Sequence, residues 1–338
     1  MKTLAQANGS GNAKSYIITS SLLKKIRILK TSLGLTVSDG DKAFCEESRC
    51  EVEKFVSRYF PGANIFFVDM DQLGDEVFSS AVKAHSAVRG ATLLSTCSEF
   101  TELHKGKNLQ INRIFDCTGQ KIGLGPRPGY PTIDEQIKQF MASFRGDPIV
   151  IIEDGSFTGT TLAFIIKKFR AAGAKIDSII LGFAFPKAIE NITEVYDGKI
   201  IQMQQMDNII DWMPDHDFFP FLPNCGRVVG HAWGEQNLPL YGHDGAAFCI
   251  PYIMPFVNRE TMEAWTGIPK VYCQEFSDYF LKKALRFYEG VERELGEPLT
   301  IKHLANTTPR ICTPLSVNQK TLPDVHASVT EFIRDCLH

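Results

Sequence analysis

No stretch of this chain reaches the roughly 18 uninterrupted apolar residues of a membrane-spanning helix. Residues 1–16, MKTLAQANGSGNAKSY, lack the apolar centre of a secretory signal. Both absences lead us to expect a cytoplasmic protein with no membrane partner. An excess of one charge is lacking too: 36 Lys and Arg against 39 Asp and Glu leave a net −3. That excludes the broad basic field of a nucleic-acid binder, so any anionic ligand must be held by a local site. Cysteine is neither dense nor paired. Its nine residues (45, 50, 97, 117, 225, 249, 273, 312 and 336) include no CxxC, and only Cys45 and Cys50 lie close together. A disulfide scaffold and a structural zinc site are therefore not expected. No internal repeat is apparent, and no GxxxxGK[ST] phosphate loop is present.

What is present is an ordinary globular composition, 44% hydrophobic and 22% charged over 338 residues, long enough for one large domain with additions or for two domains. After a Gly-, Ser- and Asn-rich start, Leu22, Leu23, Ile26 and Leu29 have helical spacing, and a second helical pattern runs from Phe44 through Val52, Phe55 and Val56 to Pro61-Gly62. From residue 64 to about 206, short apolar runs (Asn64 to Val68, Ala91 to Ser95, Leu109 to Phe115, Ile149 to Ile152, Ser178 to Phe185, Lys199 to Met203) alternate with amphipathic stretches. That alternation predicts an α/β fold with a mainly parallel sheet flanked by helices. Thr132 and Glu135 form a capping box opening a helix through Ile133, Ile137, Phe140 and Phe144. Residues 206–270 carry Trp212, Trp233, Trp265 and many prolines and are expected to be irregular. A long helix from Tyr272 ends at Gly296, and another runs from Val325 to Leu337.

The chemistry concentrates in Ile149-Val-Ile-Ile-Glu153-Asp154-Gly155-Ser156-Phe157-Thr158-Gly159-Thr160-Thr161. An apolar strand ends in two carboxylates, at the edge where open α/β sheets bind ligands. Glycines and hydroxyls then lead into a helix N-terminus, which suits a phosphate. Acceptors beside donors fit a molecule with vicinal hydroxyls at one end and a phosphate at the other.

This segment resembles the phosphoribosyl-pyrophosphate signature of type I phosphoribosyltransferases. The resemblance implies a phosphoribosyltransferase-like core over residues 60–210, with an N-terminal helical extension (1–60) and a C-terminal addition (211–338) serving as a hood or as the oligomerisation element of a homodimer. It implies that Glu153 and Asp154 bind the ribose hydroxyls and contact Mg²⁺ indirectly, through bound ribose or water. Ser156, Phe157, Thr158, Gly159, Thr160 and Thr161 would hold the 5′-phosphate. In members acting on 6-oxopurines an aspartate precedes the Thr-Gly; here it is Phe157, which argues against a hypoxanthine or guanine enzyme. The Gly- and Pro-rich stretch from Phe115 to Pro131 resembles the family's flexible catalytic loop, whose Lys121 and Arg127 would meet the leaving pyrophosphate. Gln72, Leu73, Gly74 and Asp75 lie in the place of its pyrophosphate loop. Trp212 and Asp215 are candidates for nucleobase binding, and Arg227 and His231 further along are within the same expectation.

The implied activity is Mg²⁺-dependent transfer of 5-phosphoribosyl from phosphoribosyl pyrophosphate to a small nitrogenous acceptor, releasing pyrophosphate. Two alternatives stand beside it. One is a non-catalytic phosphoribosyl-pyrophosphate or nucleotide-binding regulator. The other is a haloacid-dehalogenase-type phosphatase, suggested by an apolar strand ending in Asp69-Met70-Asp71.

Overall fold

Four consecutive apolar residues, Ile149 to Ile152, are buried on both faces, as a central parallel strand requires. A computed structural model describes residues 14–86, 91–97, 107–115, 121–127, 130–223, 227–229, 249–250, 266–300, 303–304 and 328–337. The chain forms two units, the first from the described parts of 1–15, 66–111 and 130–209, the second from 16–65, 112–129 and 210–338. No helix among the described residues is long and apolar enough to cross a membrane.

The strands in chain order are β1 (Ser15–Ser20), β2 (Asn64–Asp69), β3 (Thr92–Ser95), β4 (Lys107–Asn108), β5 (Ile111–Phe115), β6 (Lys121–Pro126), β7 (Ile149–Ser156), β8 (Ile176–Ala184), β9 (Lys199–Gln205), β10 (Ile209–Pro214), β11 (Arg227–Val229) and β12 (Cys249–Ile250). The helices are α1 (Leu22–Ser32), α2 (Asp39–Tyr59), α3 (Met70–Ser86), α4 (Ile133–Ala142), α5 (Thr160–Ala171), α6 (Pro186–Thr193), α7 (Lys270–Leu295) and α8 (Val329–Asp335).

The first unit is built on a five-stranded sheet in the order β4-β3-β7-β8-β9, parallel at every pairing. This is the α/β architecture expected from the alternating pattern. Helix α3 packs on β7 and β8, and its Leu73 reaches Gly182 so closely that a Cβ there would lie 2.8 Å from a leucine methyl. Ser80 of the same helix meets Met203 of β9. Helix α5 connects β7 to β8 and α6 connects β8 to β9, and the two helices pack on each other.

Two smaller sheets complete the strands, β10-β1-β2 and β12-β11-β5-β6. Asn64 to Val68 is a strand as expected, but it belongs to the three-stranded sheet and not to the five-stranded one. In the second unit the core is aromatic. Phe55 of α2 packs on Phe276, Tyr279 and Phe280 of α7 at 4.9–6.2 Å between ring centroids, and Tyr59 stacks on Tyr272 at 4.3 Å. Buried Lys30 of α1 ties three helices together, reaching Asp41 of α2 at 2.6 Å and Glu294 of α7 at 2.8 Å. Helix α7 stops at Gly296, whose φ of +78° is the left-handed cap that glycine adopts without strain. The closing helix begins at Val329; residues 325–327, included in the expectation, lie outside the described residues.

Candidate functional site

Strand β7 carries the signature further than expected, running through Ser156, so only Phe157 to Gly159 separate it from α5. Glu153 is buried and pairs in register with Leu181 of β8. Asp154, on the other face, accepts the N–H of Gly155 at 2.8 Å. Two glycines make the packing possible. A Cβ on Gly155 would lie 2.5 Å from the Phe183 ring, and one on Gly182 would strike the carbonyl of Asp154.

Gly159 is the N-cap of α5 with φ +73°, and a Cβ there would lie 2.5 Å from the carbonyl oxygen of Ala188. Both the backbone conformation and the space exclude other residues. The helix it opens has no side-chain cap and no acidic residue in its first turn. The hydroxyls of Thr158 and Thr160 face each other at 3.0 Å on the exposed side of the turn, with Thr161 half-buried behind them. Phe157 is half-buried and packs on Phe185, with centroids 5.5 Å apart. The segment thus sets two carboxylates at a sheet edge and, three residues beyond the strand, a helix N-terminus whose dipole and amides favour an anion.

The neighbouring strand β3 ends beside these acids, with Ser95 opposite Ile152. Ser95 Oγ accepts the N–H of Cys97 at 2.9 Å and donates to its carbonyl at 3.1 Å, making a tight turn in which Thr96 is buried. Sequence reasoning missed this turn. An apolar run closing in Ser-Thr was its only signal.

Gln72 to Asp75, expected as a loop, form the first turns of α3. Asp69 Oδ1 takes the N–H groups of Asp71 and Gln72 at 3.0 Å each, and those of Gly74 and Asp75 fall within the helix's own ladder. These amides are committed to the helix, which corrects the loop expectation. The same bonds make Asp69 a helix cap, a role at odds with the phosphatase nucleophile.

Lys121 and Arg127 belong to the second unit. Residues 121–126 are strand β6, paired with β5, and not loop; Cys117 to Gln120, Pro128 and Gly129 lie outside the described residues. Desolvation first, then the like charge of Arg113, lowers the pKa of Lys121. Trp212, on β10, is half-buried with its Nε1 3.4 Å from Thr19 Oγ1. Asp215 is buried, and its Oδ1 accepts the N–H groups of Ser21 and Leu22 at 2.9 Å each, while His216 Nδ1 lies 2.7 Å from Ser21 Oγ. This carboxylate closes the N-terminus of α1, a structural job that base recognition does not share. His231, Trp233 and Trp265 lie outside the described residues, as does the side chain of Arg227. Burial, reinforced by Asp215, Asp41 and Glu46, pushes the Cys45 thiol up to about 12, which rules it out as a thiolate at neutral pH.

No family model and no curated protein matches the sequence. Among solved structures, the chain is similar to an adenine phosphoribosyltransferase from Thermoanaerobacter pseudethanolicus, at 15% identity over 44% of this chain and 92% of that one, with a TM-score of 0.28. It is similar to a protein from Thermus thermophilus at 11% identity over 40% and 82%, with a TM-score of 0.27. A purine phosphoribosyltransferase from Pyrococcus horikoshii follows at 18% identity over 41% and 88%, with a TM-score of 0.25. The α/β assignment rests on the chain's own parallel sheet.

Proposed function

We propose that the β7–α5 segment binds the 5-phosphoribosyl group of phosphoribosyl pyrophosphate and that the protein transfers this group to a small nitrogenous acceptor, releasing pyrophosphate. One observation carries the reading: a parallel strand that bears two adjacent carboxylates in its carboxyl half leads, through the three-residue loop Phe157 to Gly159, into a helix N-terminus with no side-chain cap. The carboxylates of Glu153 and Asp154 suit ribose hydroxyls as charged acceptors. Ser156 to Thr161 offer backbone and hydroxyl donors to the 5′-phosphate.

Mg²⁺ fits the donor set, since carboxylate oxygens are the hard ligands it takes. Among the described residues no group of three or more His, Cys, Asp or Glu is placed to hold a metal. In this reading the ion is held mainly by the ligand's own phosphates, with Glu153 and Asp154 reaching it through ribose or water, and it would neutralise the departing pyrophosphate. The chain's part is to position the sugar and exclude water. The reading places the protein in the cytoplasm. Cys45, Cys50, Cys97, Cys273 and Cys336, none in a disulfide, are in keeping with that setting.

The test incubates the full chain with phosphoribosyl pyrophosphate, Mg²⁺ and a mixture of nitrogenous bases and follows pyrophosphate release. Base-dependent release is expected. Binding without release would favour the regulator, and hydrolysis of generic phosphate esters abolished by Asp69→Asn would favour the phosphatase.

A further inference from the structure

The loop between β7 and α5 is held from one side by the segment that opens and forms α6. The N–H of Phe185 donates to the carbonyl of Ser156 at 3.3 Å. The carbonyl of Ala188 sits against Gly159. Asn191, in the second turn of α6, donates its Nδ2 to the carbonyl of Thr158 at 2.7 Å.

The third contact has a consequence for the next peptide group. In a planar trans peptide the C=O and the following N–H point in opposite directions. Fixing the Thr158 carbonyl toward Asn191 therefore aims the Gly159 N–H away from α6. Glycine at this position leaves the Thr158–Gly159 peptide otherwise easy to rotate, because its φ is not restricted by a side chain. We propose that Asn191 is a positioning residue that locks this peptide, so that the Gly159 N–H is presented to the 5′-phosphate before the ligand arrives. The inference rests on the phosphoribosyl reading of the β7–α5 segment.

Asn191 touches no ligand in this account, so its substitution should change affinity for the phosphate end and leave the fold alone. The experiment titrates ribose 5-phosphate and, separately, inorganic pyrophosphate, each with Mg²⁺, into the full-length wild type and into Asn191→Ala, Asn191→Asp and Asn191→Gln. Thermal unfolding and amide hydrogen exchange at Gly159 are followed in parallel. Asn191→Ala should weaken ribose 5-phosphate about tenfold, the worth of one hydrogen bond, and leave pyrophosphate affinity unchanged. Asn191→Asp, which sets a carboxylate against the Thr158 carbonyl, should weaken it further, and Asn191→Gln, which keeps the donor, should recover part of the loss. Ribose 5-phosphate should slow exchange at Gly159 less in Asn191→Ala than in wild type, and the melting temperature should hold.

Equal ribose 5-phosphate affinity in wild type and Asn191→Ala overturns the lock and leaves the phosphoribosyl site standing. So does an unfolded Asn191→Ala chain, or an equal loss for both ligands, since either would make Asn191 a general structural residue. A wild type that binds no ribose 5-phosphate overturns the site reading and the lock together.

Discussion

Helices α1 and α5 begin in opposite ways. At α1, in the second unit, the chain supplies its own anion: Asp215 takes the amides of Ser21 and Leu22, with Ser20 Oγ 3.2 Å from its second oxygen. At α5, in the first unit, the N-cap is a left-handed glycine with no side chain to offer, and the first turn carries no acid. The other helices with polar starts resemble α1. Ser38 and Asp41 close α2, Thr132 and Glu135 close α4, and Asp69 closes α3. A helix start satisfied by its own chain is finished structure. One left without a side-chain cap, after the strand that bears Glu153 and Asp154, is suited to an anion from outside.

The harshest way to break the α5 start is Gly159→Ala. A left-handed backbone costs an L-residue about 1–2 kcal/mol, and the collision with Ala188 adds overpacking strain of about 1–3 kcal/mol. The expected outcome is a lowered melting temperature together with loss of measurable phosphoribosyl-pyrophosphate binding, checked by calorimetry. Converting α5 to the α1 pattern is gentler. Thr161→Glu places a carboxylate in the first turn, where the dipole favours it by about 0.3–1 kcal/mol. The variant should melt no lower than wild type yet lose on the order of 100-fold in affinity, since an unsatisfied like charge now meets the phosphate.

The reverse substitution opens α1. Asp215→Ala should cost about 0.5–2 kcal/mol in denaturant unfolding, the usual worth of a helix cap, and leave phosphoribosyl-pyrophosphate affinity unchanged. Acid gives the smallest effect. Asp41 is raised by burial, but Lys30 and Ser38 outweigh that and hold it below its ordinary 3.8. The hydroxyl and N–H of Thr132 hold Glu135 below its ordinary 4.5. Carboxylates depressed in the folded state stabilise it above their unfolded pKa, and that contribution is lost as pH falls through the folded value. Amide protection in the first turns of α2 and α4 should therefore decline as pH falls below the ordinary 3.8 of Asp41 and 4.5 of Glu135, while exchange in the first turn of α5, with no carboxylate at its start, should show no such added acid dependence.

Signals lying within a few residues of one another were legible in the sequence. The Thr132–Glu135 box, the end of α7 at Gly296, the buried run from Ile149 to Ile152 and the turn through Gly159 all fall where their residue types require. Features that depend on distant partners were not. Gly74 and its acidic neighbours read as a loop, yet packing of α3 on β7 and β8 makes them helical. Lys121 to Pro126, rich in glycine, became a strand through pairing with β5. Asp215 caps a helix 193 residues earlier in the chain, and nothing around Asn191 announces its bond to Thr158.

The central claim is that the acids of β7 and the uncapped start of α5 act as one binding site. Titrating phosphoribosyl pyrophosphate with Mg²⁺ into the wild type and into a Glu153→Gln plus Asp154→Asn double variant tests it most directly. Each charge-assisted hydrogen bond lost is worth about 1.5–3 kcal/mol, so saturable binding by the wild type should fall by at least about 100-fold in a double variant that still folds. No binding by the wild type, or equal binding by both proteins, would contradict the account.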